Sequence, residues 1–259
     1  MEPTIGRRRA LAGIGSVGLA ALLAACTREP DGAQTDTSVP TTGGGTATVQ
    51  PRTTAGSDLA QLFKDASTCA LTPEQTEGPY YFDVDSIRGD IREDRTGTPL
   101  RLAVRVMDAD GCTPVSNAVV DIWHCDATGL YSGFESASTG GGAGNGRTDQ
   151  KTYLRGAQVT NVDGIVEFRT IYPGWYQGRT VHIHTKVHLT ASSVMTTQLY
   201  FDDAITDQVY AAAPYNTRPD RTTRNSDDGI VGRGGASTTL TLSRDGDGYL
   251  GLITLGVAA

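Results

Sequence analysis

The chain has 259 residues, 20% of them charged, and a formal net charge of −7. With no basic run in the body of the sequence, that acidic balance excludes nucleic acid and anionic lipid as partners recruited by charge. Only four residues are histidine, and three of them, His182, His184 and His188, fall in one stretch of seven.

Residues 1–25 read as an export signal. Arg7, Arg8 and Arg9 supply the positive start, and residues 10–25 are uncharged, as long as a signal core and too short to span a bilayer comfortably. Leu23-Ala24-Ala25-Cys26 has the form of a bacterial lipobox, in which cleavage leaves Cys26 lipidated. The arginines resemble a twin-arginine signal; export by that route or the general one stays open. The expectation is a protein of the bacterial cell envelope, outside the cytoplasm and held to the membrane by its N-terminal lipid alone. Loss of residues 1–25 takes the formal charge from −7 to −9.

Residues 26–57 are rich in Thr, Gly and Pro and nearly free of large apolar side chains, so they read as a flexible linker. Residues 58–259 remain for one domain. A short amphipathic helix fits 58–66. After it the helical period disappears. "LRLAVRVMDA" (100–109) alternates, with Leu100, Leu102, Val104 and Val106 on one face. "AVVDIWHC" (118–125), "IVEFRTI" (165–171), "TVHIHTKVHL" (180–189), "MTTQLYF" (195–201), "TTLTLS" (238–243) and "YLGLITLGV" (249–257) continue a series of short strands separated by turn residues. The pattern predicts an all-β fold, a single β-sandwich of short strands and long loops. The glycine-rich stretch 138–150 lacks a phosphate-binding pattern and reads as a surface loop.

Cys69, Cys112 and Cys125 lie in the domain, and an exported chain permits a disulfide. Cys112 belongs to a turn and Cys125 to the far end of the next strand, which disfavours that pair. Cys69–Cys125 is the favoured pairing, with the others and three free thiols left open.

On strand 180–189, Val181, Ile183, Val187 and Leu189 point one way and His182, His184, Lys186 and His188 the other. Residues two apart are ~6.6 Å apart on one face, so His182 and His184 can converge on one metal; His188 lies ~13 Å further along. H-x-H by itself is a weak signal, since exposed strand histidines are common and fit it better than a metal does. The neighbourhood is more telling. "YPGWYQGR" puts Tyr176 and Arg179 just before the strand, and "WHCDATGLYSGF" puts Tyr131 just past another.

Four stretches together, "LTPEQTEGPYY" (71–81), "VVDIWHCDATGLYSGF" (119–134), "YLRGAQVTNVDGIVEFRTIYPGWYQGRTVHIHTKV" (153–187) and "TTQLYF" (196–201), resemble the intradiol ring-cleavage dioxygenases, in particular their exported branch. The resemblance runs from about Cys69 to the C-terminus. It implies a non-haem Fe(III) held by Tyr131, Tyr176, His182 and His184, a catecholic substrate, and O2 incorporated into a muconate-type product. Hard ferric iron suits phenolate oxygen, and imidazole suits iron well. By the same resemblance Tyr176 leaves the metal as it takes a substrate proton, Arg179 stabilises negative charge developing on the ring, and Gln198 accompanies Arg179. Tyr172, Tyr80 and Tyr81 read as packing or pocket wall. Only Gln177 and Gly178 separate Tyr176 from Arg179, shorter than in several cytosolic members, which implies a more open rim. The rival readings are a non-catalytic β-sandwich surface lipoprotein with a binding role and a copper or zinc protein. Ring substituents and homo-oligomer formation are left open by the sequence.

Overall fold

The computed structural model describes residues 37–40, 46–49, 57–63, 69–84, 86–138, 146–190 and 194–259. The expected signal and Cys26 lie outside these residues, as does most of stretch 26–57. Within that stretch, Thr37–Pro40 (β1) pairs antiparallel with Thr46–Val49 (β2). Ser57–Leu62 forms a short helix, α1.

The domain is a β-sandwich of two four-stranded sheets. In the first, Pro99–Asp108 (β3) lies at the centre. It runs antiparallel to Ile165–Ile171 (β6) and parallel to Gly248–Val257 (β10), which pairs in turn with Thr241–Asp245 (β9). The second sheet is wholly antiparallel. Its order is Arg155–Val159 (β5), Val119–Trp123 (β4), His182–His188 (β7) and Val194–Tyr200 (β8). A helix, Asp203–Tyr210 (α2), leaves the end of β8 and starts on the Asp202 carboxylate, which accepts from the Ala204 and Ile205 amides.

The core lies where the alternation places it. Leu100, Leu102, Val104 and Val106 of β3 are all buried and meet Val120 and Ile122 of β4 and Ile183 and Val187 of β7. Each such side chain contributes about 1.5–3 kcal/mol by leaving water. The second face of β3 is covered as well, with Leu59 of α1 and Phe63 packing on Ala103, Ile165 and Leu250.

The other face of β7 is also closed off. Residues 71–81 cross it as a strap tied to β8 through residues 73–76: Thr197 Oγ1 donates to Pro73 O, the Gln75 amide to Thr196 O, and Gln198 Nε2 to Thr76 O. Glu77 pairs with Lys186 on β7 itself. His182 and His184 are therefore 2% and 1% exposed. Strand alternation says which residues share a face, and only the strap decides that the histidine face is dry.

Two sequence expectations change. The strand expected at 238–243 starts later, at Thr241, because Thr238 and Leu240 still pair with the end of β8: the Tyr200 amide donates to Thr238 O and the Leu240 amide to Tyr200 O. The chain crosses from one sheet to the other there. The favoured Cys69–Cys125 pairing is also overturned. Cys69 is bonded to Cys112, with Cα atoms 5.4 Å apart, and Cys125 is a buried free thiol donating to Gly174 O. The reason is topological. The strap begins beside the end of β10, where the Thr72 amide donates to Gly256 O, and the β3–β4 turn carrying Cys112 reaches that same end through Ala109, whose amide donates to Val257 O. Cys125 sits among the aromatic rings below Tyr131. Closing a loop of 43 residues' separation stabilises the fold by up to about 4 kcal/mol on the chain-entropy account. Cys69→Ser and Cys112→Ser should therefore lower the denaturation midpoint equally, and the double variant no further. Cys125→Ser should leave the disulfide intact under non-reducing peptide mapping.

Candidate metal centre

His182 and His184 project from β7 toward the strap, and their Nε2 atoms are 3.1 Å apart. His182 Nδ1 lies 2.6 Å from the Thr180 carbonyl, which can only accept, so the proton sits on Nδ1 and the Nε2 lone pair points into the site. His184 is held between neighbours. Trp123 stacks on it in parallel, with centroids 4.9 Å and planes 5° apart. On another side the backbone of Gly78 comes so close that a Cβ there would stand 3.1 Å from Cε1. Burial keeps both rings neutral, with His182 pushed down to about 3 by desolvation and by nearby Arg179, and His184 well below the ordinary imidazole range.

The tyrosines arrive on two turns. Tyr131 follows β4, and Tyr176 follows the Pro173-Gly174 turn after β6. Gly174 is required by contact rather than flexibility, since a Cβ would lie 2.5 Å from the carbonyl oxygens of both Asp126 and Ala127. The two turns thus pack backbone on backbone and their phenols meet. Tyr176 O–H donates to His182 Nε2 at 3.1 Å. The Tyr131 ring stands 5.7 Å from Tyr176 and 6.1 Å from His184. Tyr131 is fully buried and its hydroxyl makes no hydrogen bond of normal geometry, with the Tyr176 phenol as a weak polar neighbour, a defect worth up to about 1–3 kcal/mol. Desolvation, and for Tyr131 the neighbouring phenol, raises both tyrosines above their ordinary range.

Two imidazole Nε2 atoms and two phenols converge on one point. Among the described residues no group of three or more His, Cys, Asp or Glu is placed to hold a metal, so a four-ligand centre here has to use the phenols. Ionised, two phenols are hard anionic oxygen donors, which a hard, highly charged cation prefers. The donor set therefore fits ferric iron better than copper or zinc.

Arg179 reaches the same place because the 176–179 turn is tight, the Arg179 amide donating to Tyr176 O. Its guanidinium donates through Nε to Asp228 Oδ2 (2.9 Å) and through Nη2 to Gln198 Oε1 (2.5 Å). Gln198, fully buried, spends its amide nitrogen on Thr76 O of the strap. Although burial opposes its charge, Asp228 is held below the usual carboxylate range by the Thr180 and Ile230 amides and by Arg179.

The structure thus gathers Tyr131, Tyr176, His182, His184, Arg179 and Gln198. It leaves His188 at the far end of β7, opposite Val119 and Val194. The fourth histidine, His124, is a satisfied core residue bonded to Cys125 O and Thr170 Oγ1. Tyr172 packs on Phe201 in the core. Of the two strap tyrosines, Tyr80 lies against Tyr131 at 4.8 Å and forms the rim, whereas Tyr81 turns away to pack on Trp123. Sequence reasoning missed Asp228, Trp123 and Gly78. The Asp-Asp pair after Asn225 carried no spacing signal, and Gly78 stood in a motif without a stated role.

A family model described as dioxygenase matches residues 76–227, more than half of the chain and including every residue gathered at the site. The chain belongs to the intradiol ring-cleavage dioxygenase family. An intradiol ring-cleavage dioxygenase from Tetranychus urticae superposes with a TM-score of 0.68 at 35% identity, covering 73% of this chain and 94% of that one. Among curated relatives, catechol 1,2-dioxygenase 1 of Acinetobacter lwoffii is 31% identical over 150 residues, 49% of this chain and 45% of that protein. Chlorocatechol 1,2-dioxygenase of Rhodococcus opacus is 30% identical over 131 residues, 43% of this chain and 47% of that protein. The matched stretch thus spans just under half the length of these two intradiol relatives.

Gly78 also has φ +74°, so alanine there is strained before it touches anything. Gly78→Ala should push the His184 imidazole and lower metal retention by about tenfold or more, the scale of a lost outer contact. Metal analysis after dialysis against a chelator checks this.

Proposed function

We propose that this protein is an Fe(III)-dependent intradiol dioxygenase that opens a catecholic ring between its two hydroxyl-bearing carbons. Both atoms of O2 enter the product, a muconate. The observation that carries the reading is the convergence of two imidazole Nε2 atoms and two phenols, one of them fully buried with no hydrogen-bond partner. Tyr131, Tyr176, His182 and His184 would hold the metal. When bound there, ferric iron supplies the positive charge that holds a catecholate and the electron-accepting character that makes its ring carbon reactive toward O2.

The chain's own residues account for the rest. Tyr176 is half-buried, beside Arg179 and at the open side of the centre, so its oxygen is the one placed to take a proton from a substrate hydroxyl. Tyr131, wholly enclosed, would be the permanent ligand. Arg179 has a fixed charge aimed by Asp228 and Gln198, and stabilises negative charge building on the ring. The strap and Trp123 keep water from the histidine side. Tyr80 on the rim offers an aromatic face to an incoming ring. The curated relatives are catechol and chlorocatechol 1,2-dioxygenases, which supports a catechol as the substrate class here.

We also propose that the domain works outside the cytoplasm on the lipid of Cys26. The lipobox supports this, and so does a disulfide in the catalytic domain, as expected of an oxidising compartment.

Purified iron-loaded protein should be red-brown, with a broad visible charge-transfer band, and should consume O2 with at least one of a panel of catechols while forming a muconate absorbance. A colourless protein without iron, or a coloured one inert toward the whole panel, would sink the reading.

A further inference from the structure

Arg155 opens β5 and is 1% exposed. Its Nε donates to Ser132 Oγ at 2.9 Å and its Nη2 to Ser132 O at 2.8 Å, while Nη1 is buried with no partner at all. Ser132 is locked in turn, its hydroxyl donating to Tyr153 O at 2.6 Å. One face of the guanidinium lies over Phe82 at 4.2 Å, with Phe134 at 5.7 Å. Across the same Phe82 ring sits a second cation, Arg147, at 3.9 Å. Among the described residues no carboxylate forms an ion pair with Arg155, whereas Arg88, Arg95, Arg101, Arg179, Arg221 and Arg224 each have one.

A buried cation with no ion-paired carboxylate and one unused donor is an unfavourable arrangement for a fold to keep. Two aromatic faces offset part of that cost, and Arg147 adds to it. The Asp121 carboxyl acts on Arg155 without an ion pair between them and is already engaged with Tyr81, and the Tyr131 oxygen acts on Arg155 more strongly. The remaining candidate for a negative charge is the residue next to the clamped serine, Tyr131, whose buried hydroxyl also lacks a partner.

We infer that Arg155 is the positioning residue of Tyr131: its fork clamps Ser132 and so sets the angle of the phenol, and its fixed positive charge is the counter-charge to the oxygen that Tyr131 presents to iron. The inference rests on the ferric reading of the site. It explains two isolated defects at once, a cation without an anion and a phenol without a partner, the clamped serine lying one residue beyond the phenol along the chain.

A positive charge beside the phenolate stabilises the filled ligand orbitals, which raises the energy of their transition to iron. It also disfavours the more positive ferric state. In the iron-loaded protein, Arg155→Met should therefore move the visible band to longer wavelength, lower the ferric/ferrous potential, and reduce iron retention about tenfold or more. Arg155→Lys keeps the charge without the fork. It should restore band position and potential while retention stays below wild type. Ser132→Ala, which removes one of the two anchors, should shift the band in the same direction as Arg155→Met but less, and it decides the matter if Arg155→Met does not fold. A coloured wild type with an unchanged band and potential in Arg155→Met, or in Ser132→Ala where the first does not fold, would overturn the inference and leave the function standing. A colourless wild type would remove both.

Discussion

Tyr131→Phe should fold at least as well as the parent and lose its iron. The hydroxyl is fully buried and makes no hydrogen bond of normal geometry, so its removal costs only a weak polar contact with the Tyr176 phenol. The metal-free variant should gain up to about 1–3 kcal/mol, the desolvation cost of the unsatisfied group. Removal of an outer-shell partner typically costs 10–100-fold in metal affinity or activity, so loss of a ligand itself should exceed about 100-fold. The visible band should bleach in parallel with iron content, because on the proposed function the enclosed phenol would be the permanent charge-transfer donor. The expected result is opposite signs in two measurements: a metal-free melting temperature that holds or rises, and iron per chain and kcat/KM that collapse. A variant that retains full iron and colour would remove Tyr131 from the ligand set, whatever its stability.

Asp228→Ala should damage both stability and turnover. Asp228 is 4% exposed and accepts from Arg179, Thr180 and Ile230. Its loss leaves a mostly buried guanidinium unpaired and two amides unsatisfied. Breaking a buried pair from one side costs about 3–5 kcal/mol. The freed Arg179 then loses its aim, and loss of one preorganised charge-stabilising donor costs about 100- to 1000-fold in kcat. The discriminating measurement is a double-mutant cycle. Arg179→Ala/Asp228→Ala should be more stable than the sum of the single effects implies, because no lone charge remains, yet no more active than Arg179→Ala. Iron content should stay near that of the parent in all three, since neither residue holds the metal. Strict additivity in stability would show that the two act separately.

These variants differ in how far the sequence foretells them. Tyr131 is legible through the family resemblance carried by "WHCDATGLYSGF", together with the H-x-H strand and the Pro-Gly-x-Tyr turn, which implies a hard-metal donor set. Asp228 does not. It lies 49 residues from Arg179, in a segment of turns without period, and nothing local marks an acid as the partner of a distant guanidinium. The same divide runs through the fold. β3, β6 and β10 are visible in alternation or apolar runs because their side chains face a core. β5 is not, because "RGAQV" carries an arginine, a glycine and a glutamine into a buried polar layer where hydrophobic period has no meaning. α2 is marked only by an Asp followed by a weakly amphipathic turn. The disulfide escapes the sequence for a related reason. Which of three thiols meet depends on which sheet ends adjoin, and in this sandwich the parallel pairing of β3 with β10 brings the turn of Cys112 to the strap of Cys69.

The sequence by itself determined the class of fold, since alternation is a local property carried along each strand, and its family motifs named the candidate donors. Only the tertiary structure decided that the histidine face is buried, that the two phenols meet it, that Asp228 stands behind Arg179, and that Arg155 clamps the serine next to Tyr131. Those facts depend on the strap of residues 71–81 lying over β7 and on turns from separate strands packing backbone to backbone. Long-range closure of that kind sets burial, and burial makes imidazoles neutral, phenols reluctant and an unpaired cation conspicuous.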